Sequence, residues 1–256
     1  MRGFAIAVLV AGLWWSPAIA AGTSPLDLYR DGQYEAAIAA GQAANDGEGL
    51  AVAARAALAE ANLADEPCLP CLQRAEGFAR RSMNLDAAHP EAFIYLAAAL
   101  GYEARIIGTL RARFARYPEQ AKDAIDRALA VAPGDSWSLA AAGAWQIEVV
   151  RNGGSLLARA LYGARVDTGK DYFRRAIAAD PGNLVIRFQY ALSLSGYDFD
   201  ANRDEVIAQL AAAAKTAPRT VYEAAIKERA GRLLDLVKAK RRADYLALVN
   251  RYQGYA

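Results

Sequence analysis

Ala128-Leu129-Ala130-Val131-Ala132-Pro133-Gly134-Asp135-Ser136-Trp137 and Ala176-Ile177-Ala178-Ala179-Asp180-Pro181-Gly182-Asn183-Leu184 decide the fold. Each is the alanine-rich end of a helix, broken at Pro-Gly, followed by another helix opened by an aromatic residue: Trp137 in the first, Phe188 in the second. A looser copy runs from Ser82-Met83-Asn84-Leu85-Asp86 through Pro90 to Phe93. A helical pair that cannot bury its apolar face alone must stack on its neighbours, so a phrase that recurs predicts an all-α chain built as an α-solenoid with an exposed concave groove.

Outward from these phrases the chain reads as helix after helix. Ser24-Pro25 is a helix start, Gly32 a tight turn, and Ala37, Gly41 and Ala44 form a small-residue face that lets two helices approach closely. Apolar spacing predicts helices over Gly47–Ala64 and Leu69–Leu85, a long helix from Pro90 towards Phe114, and its partner from Pro118. Ser136 is expected to cap the helix that carries Leu139, Ala142, Gly143 and Val150 inward. After Gly153-Gly154, the stretch Leu156–Gly163 reads as a short helix inserted within a repeat. Pairs at Thr168–Ala179, Leu184–Ser195, Asn202–Ala214 and Thr220–Lys240 and a last helix over Ala243–Tyr252 complete the array, with Lys238, Lys240, Arg241 and Arg242 as a solvated terminal cap.

Composition narrows the partners. Residues 1–20, with Arg2 ahead of the apolar run Phe4–Trp15 and small residues at Ala18-Ile19-Ala20, read as a secretory signal peptide, leaving 21–256 as one helical-repeat domain. No cysteine stands at the cleavage point to be lipidated, and no later run is apolar enough to span a bilayer, since Arg55 and Glu60 interrupt the most alanine-rich segment. The expectation is a soluble protein, periplasmic or otherwise exported, with no membrane insertion once the leader is removed. The 30 Lys and Arg, less Arg2, nearly match the 28 Asp and Glu, so no long-range field selects nucleic acid.

Both cysteines lie in Cys68-Leu69-Pro70-Cys71. Haem attachment requires histidine after the second cysteine, where Leu72 stands, and a redox pair requires a βαβ context. A local disulfide pinning the start of a helix remains, in keeping with an oxidising compartment. With His89 as the single histidine, neither a zinc site nor a Ser-His-Asp triad can be assembled from the usual parts. Gly163 and Gly169-Lys170 do not make a phosphate loop, because the spacing is one residue too long and Asp171 replaces the hydroxyl residue. Glu103 near Arg105 and Glu148 near Arg151 could do acid or base work but read better as polar networks fixing helix register. The sequence therefore predicts no catalysis, no cofactor and no metal.

The stretch Leu28-Tyr29-Arg30-Asp31-Gly32-Gln33-Tyr34-Glu35-Ala36-Ala37-Ile38 resembles the turn of a tetratricopeptide repeat, as do the phrases ending at Pro133 and Pro181. The spacing exceeds that family's usual length and Ala87 stands where a proline is common. Gly143–Val150, with Leu161-Tyr162-Gly163 and Tyr172–Ala176, is similar to the divergent repeats of the regulator-of-microtubule-dynamics family and its bacterial relatives, with Trp145, Glu148 and Gly163 as matching positions. The resemblance implies an uneven helical-repeat fold that acts through contacts with other proteins. The first helix of each pair lines the inner surface of a solenoid, and this pattern makes Tyr102, Glu103, Trp137, Glu148, Arg151 and Phe188 the candidate partner-binding residues of a groove holding a protein or peptide. The alternative is a small-molecule-binding protein whose groove is closed by the 153–168 insertion. A deep enclosed cavity would favour the second reading; an open, shallow channel would favour the first.

Overall fold

The computed structural model describes residues 23–255, so the leader expected at 1–20 lies outside the described residues. Fourteen helices and no strand occur among them: α1 Pro25–Arg30, α2 Tyr34–Ala44, α3 Gly47–Leu63, α4 Leu69–Leu85, α5 Pro90–Ile107, α6 Thr109–Phe114, α7 Tyr117–Val131, α8 Ser136–Gly153, α9 Ser155–Tyr162, α10 Val166–Ala179, α11 Leu184–Asp198, α12 Arg203–Lys215, α13 Val221–Lys238 and α14 Arg242–Tyr252.

Side-chain caps start four of the helices that will prove to be internal. Asp46 accepts from the Gly49 amide at 2.7 Å, Asp135 from Ser138 at 2.7 Å, Asn183 from Ile186 at 3.2 Å and Thr220 from Glu223 at 3.1 Å. Each satisfies an amide that the helix itself leaves free, worth about 1 kcal/mol. The cap of α8 is thus Asp135 rather than the expected Ser136, whose side chain is buried in the first turn. The long helix expected from Pro90 to Phe114 is two: Gly108, at φ 86°, turns the chain between α5 and α6.

The helices fall into two layers. α11 buries ten of its 15 residues and α3 ten of 17, whereas α10 buries three of 14 along one stripe, so α11 and α3 are sandwiched and α10 is an outer helix. Consecutive helices pack as pairs, and the inner helices α3, α5, α8, α11 and α13 also pack in series, each on the next. Two contacts need glycine. A Cβ on Gly41 of α2 would strike the carbonyl oxygen of Gly49 in α3, and one on Gly143 of α8 would lie 2.9 Å from the Gly169 carbonyl of α10. The small-residue faces read from sequence at Gly41 and Gly143 are therefore where backbones meet.

The first and last helices also meet. Asn62, at the end of α3, accepts from the Tyr222 hydroxyl at 3.2 Å and from Arg229 Nη1 at 3.1 Å, and its carbonyl accepts from Arg229 Nη2 at 3.0 Å. Val221 packs against Gly32 in the turn after α1, and Arg251 pairs with Asp65 at 2.9 Å. The last helices thus cross back to the first, over separations of 160 residues and more that no local pattern relates.

Candidate functional site

Because α13 joins back to α3, the inner helices surround a central cavity of about 560 Å³. Its walls are apolar, with Leu58, Ile94, Ala144, Val149 and Ile186 coming from four inner helices. Tyrosine and tryptophan rings extend them, among them Trp137, Trp145, Tyr222 and Tyr255. At one end the short helices intrude: Ala112 and Arg113 of α6, and Leu157 and Leu161 of α9, line the same space.

Three of the six candidate binding residues face this cavity: Tyr102, Trp137 and Glu148. Glu148 is held in a network rather than free. It accepts from Arg105 Nε at 3.3 Å, from the Tyr255 hydroxyl and from Asn152 Nδ2 at 3.0 Å. Burial pushes its pKa up, but Arg105, Tyr255, Arg151 and Asn152 outweigh burial and hold it below the usual carboxylate value. Arg151 turns away from the cavity to close the C-terminal segment, donating to Gln253 Oε1 at 2.7 Å and Asn250 Oδ1 at 2.9 Å, with its guanidinium 4.3 Å from the Tyr255 ring. Arg105 adds a bond to the Gln253 carbonyl at 3.0 Å. The chain end is thereby fastened over the ends of α5 and α8.

The other two lie outside the cavity. Phe188 is 1% exposed, 6.1 Å from the Tyr252 ring, because its side of α11 faces the core shared with α14. Glu103 is fully buried between α4 and α7, where Tyr117 donates to its Oε2 at 3.1 Å and Oε1 has no partner. Burial, reinforced by the neighbouring Glu76, pushes its pKa up to about 7.

Cys68 and Cys71 form a disulfide with Cα atoms 5.3 Å apart, and the Cys71 amide donates to Cys68 Sγ at the start of α4. Trp145 is both packing and wall: it is mostly buried, its Nε1 donates to the Pro118 carbonyl at 2.9 Å, and its ring edge meets Tyr162. Among the described residues no group of three or more His, Cys, Asp or Glu is placed to hold a metal ion.

Sequence reasoning missed the polar group with the most unusual setting, Arg55. It lies in the alanine-rich run of α3, reaches into the cavity, and stacks 4.4 Å above the Tyr29 ring. No carboxylate among the described residues lies within 4.0 Å of its guanidinium. The nearby Glu91 accepts instead from the Tyr95 hydroxyl at 2.8 Å. Burial opposes the charge on Arg55, but the fields of Tyr95, Tyr29 and Glu91 prevail and keep it cationic. A lone arginine among alanines was the available signal, legible only once the helix was known to be internal.

Comparison of the chain with protein-family models finds no match, and comparison with curated proteins finds none either.

Proposed function

We propose that this protein is a non-catalytic binding protein that carries a small apolar molecule bearing an acidic group. The observation that carries the reading is a largely apolar, partly open cavity of about 560 Å³ with the cationic Arg55, which has no carboxylate within 4.0 Å among the described residues, in its wall. That volume is in the range of roughly 300–1,000 Å³ used for drug-sized ligands. Each methylene buried there contributes about 0.8 kcal/mol, and a carboxylate on Arg55 would supply the counter-charge and hydrogen-bond acceptors the guanidinium lacks.

What supports this over an extended peptide in an open groove is the path of α13, whose Tyr222 and Arg229 bridge to Asn62 across the ends of the array. We read the stacked hairpins as an irregular tetratricopeptide-like solenoid drawn into a ring, with α9 as the insertion that helps close it. An exported, periplasmic setting is compatible with the disulfide and with the absence, among the described residues, of any helix long and apolar enough to cross a membrane.

The test is displacement of a fluorescent fatty acid from the purified chain, with competing long-chain acids and their methyl esters. The acid should bind more tightly than the ester, and Arg55→Gln should weaken acid binding roughly 10- to 100-fold, the worth of a charge-assisted hydrogen bond, while leaving ester binding unchanged. Binding of neither, or equal loss for both, would remove the proposal.

A further inference from the structure

α6 and α9 repeat one device. Each follows an inner helix across a glycine at positive φ, Gly108 at 86° and Gly154 at 74°, and each buries a single residue, Ala112 and Ala158. Both line the cavity, and they neighbour one another: burial and Glu119 raise the pKa of the Tyr162 phenol on α9 while Arg113 of α6 lowers it.

The exposed surface of these helices inverts the usual arrangement, with Leu110, Phe114 and Leu156 outside the cavity lining and Leu157 and Leu161 at its rim. Nine large apolar side chains are exposed among the described residues, and five of them, Leu110, Phe114, Leu156, Leu157 and Leu161, sit on these fourteen residues. Phe114 is 81% and Leu156 85% exposed. Such clustering marks an interaction surface rather than scattered apolar residues.

Charge identifies what the surface fits. Segments 104–118 and 149–166 contain no Asp or Glu, although acids and bases nearly balance over the chain. Arg111, Arg113, Arg116, Arg159 and Arg165 are all exposed, and none has a carboxylate within 4.0 Å among the described residues. Protruding leucines and a phenylalanine ringed by unpaired arginines are the chemistry that binds an anionic bilayer interface: the apolar tips enter the acyl boundary and the guanidinium groups meet phosphates.

We infer that α6 and α9 dock this protein on an anionic phospholipid surface, with the cavity end that they line turned towards the bilayer. The docking stands on the surface of the two helices and holds whether or not the cavity takes an acidic ligand. If it does, the ligand can pass between membrane and cavity without crossing open water.

The experiment places an environment-sensitive fluorophore on Leu156→Cys and, as the reference, on the also exposed Leu85→Cys of α4, with Cys68 and Cys71 already paired. Both labelled chains meet vesicles of phosphatidylcholine alone or of equal parts phosphatidylcholine and phosphatidylglycerol. The probe at 156 should shift to the blue and be quenched by nitroxide-labelled lipid with the anionic vesicles only, and the probe at 85 should not respond. Each arginine contributes roughly fivefold to partitioning, so Arg111→Gln with Arg159→Gln should weaken it roughly twenty- to thirtyfold at low salt. No shift at 156, equal shifts at both positions, equal response to neutral vesicles, or a dimer that disappears in Phe114→Ser with Leu156→Ser would each overturn the inference.

Discussion

Replacing Glu103 with glutamine tests the buried network between α4, α5 and α7. Glu103 is fully buried, Oε1 lacks a partner, and Tyr117 donates to Oε2. Burial first, and Glu76 second, raise its pKa from the ordinary 4.5 to about 7. A carboxyl raised in this way binds its proton in the folded chain over a range where the unfolded chain has released it. Stability conferred by that proton is complete below about pH 4.5, falls as pH rises, and is lost once pH passes about 7. The rise from 4.5 to about 7 corresponds to roughly 3 kcal/mol, with the lowering contributions of Tyr117 and Arg80 already included. Glutamine keeps an acceptor for Tyr117 and carries no charge. Thermal unfolding of the two proteins should coincide near pH 4.5 and separate above pH 7, with Glu103→Gln melting higher by roughly 6–12 °C at about 2–4 °C per kcal/mol. A difference in Tm that does not change with pH, or that grows as pH falls, would refute the assignment of a strained buried carboxyl.

Two further outcomes bear on how the chain is held together. Glu148→Ala should cost about 3–5 kcal/mol, because it strands Arg105 in a buried setting, and Tyr255 should become protease-accessible; a melting curve like that of the wild type would mean the network stabilises little. Reduction of Cys68–Cys71 should cost roughly 2 kcal/mol or less, since the loop is only a few residues long, and collapse of the helical circular dichroism signal in mild reductant would contradict this.

Much of the helical layout was legible because its causes are local. Pro133-Gly134 and Pro181-Gly182 break helices whatever lies around them, Asn183 caps the residue three places on, and Gly41 and Gly143 are small where two backbones meet. Glu148 read correctly as part of a polar network, yet its partner proved to be Arg105 from α5, with Arg151 committed to the chain end. Trp137, four residues after Pro133, lines the cavity, whereas Phe188, seven residues after Pro181, fills the core against Tyr252. Helical periodicity marks a face as apolar without saying whether a helix or a void lies opposite.

The sequence by itself determined the all-α class, the order of most of the helices and the short helical segment after Gly154, and favoured a local disulfide at Cys68 and Cys71, because propensity, capping and short-range geometry act within a few residues. Tertiary structure alone decided that the ends meet, that a cavity opens at the centre, and that Arg55 points into it. Those outcomes depend on Asn62 finding Tyr222 and Arg229 more than 150 residues away. Small rotations between successive helices accumulate along the chain, and where the last helix arrives is a property of their sum.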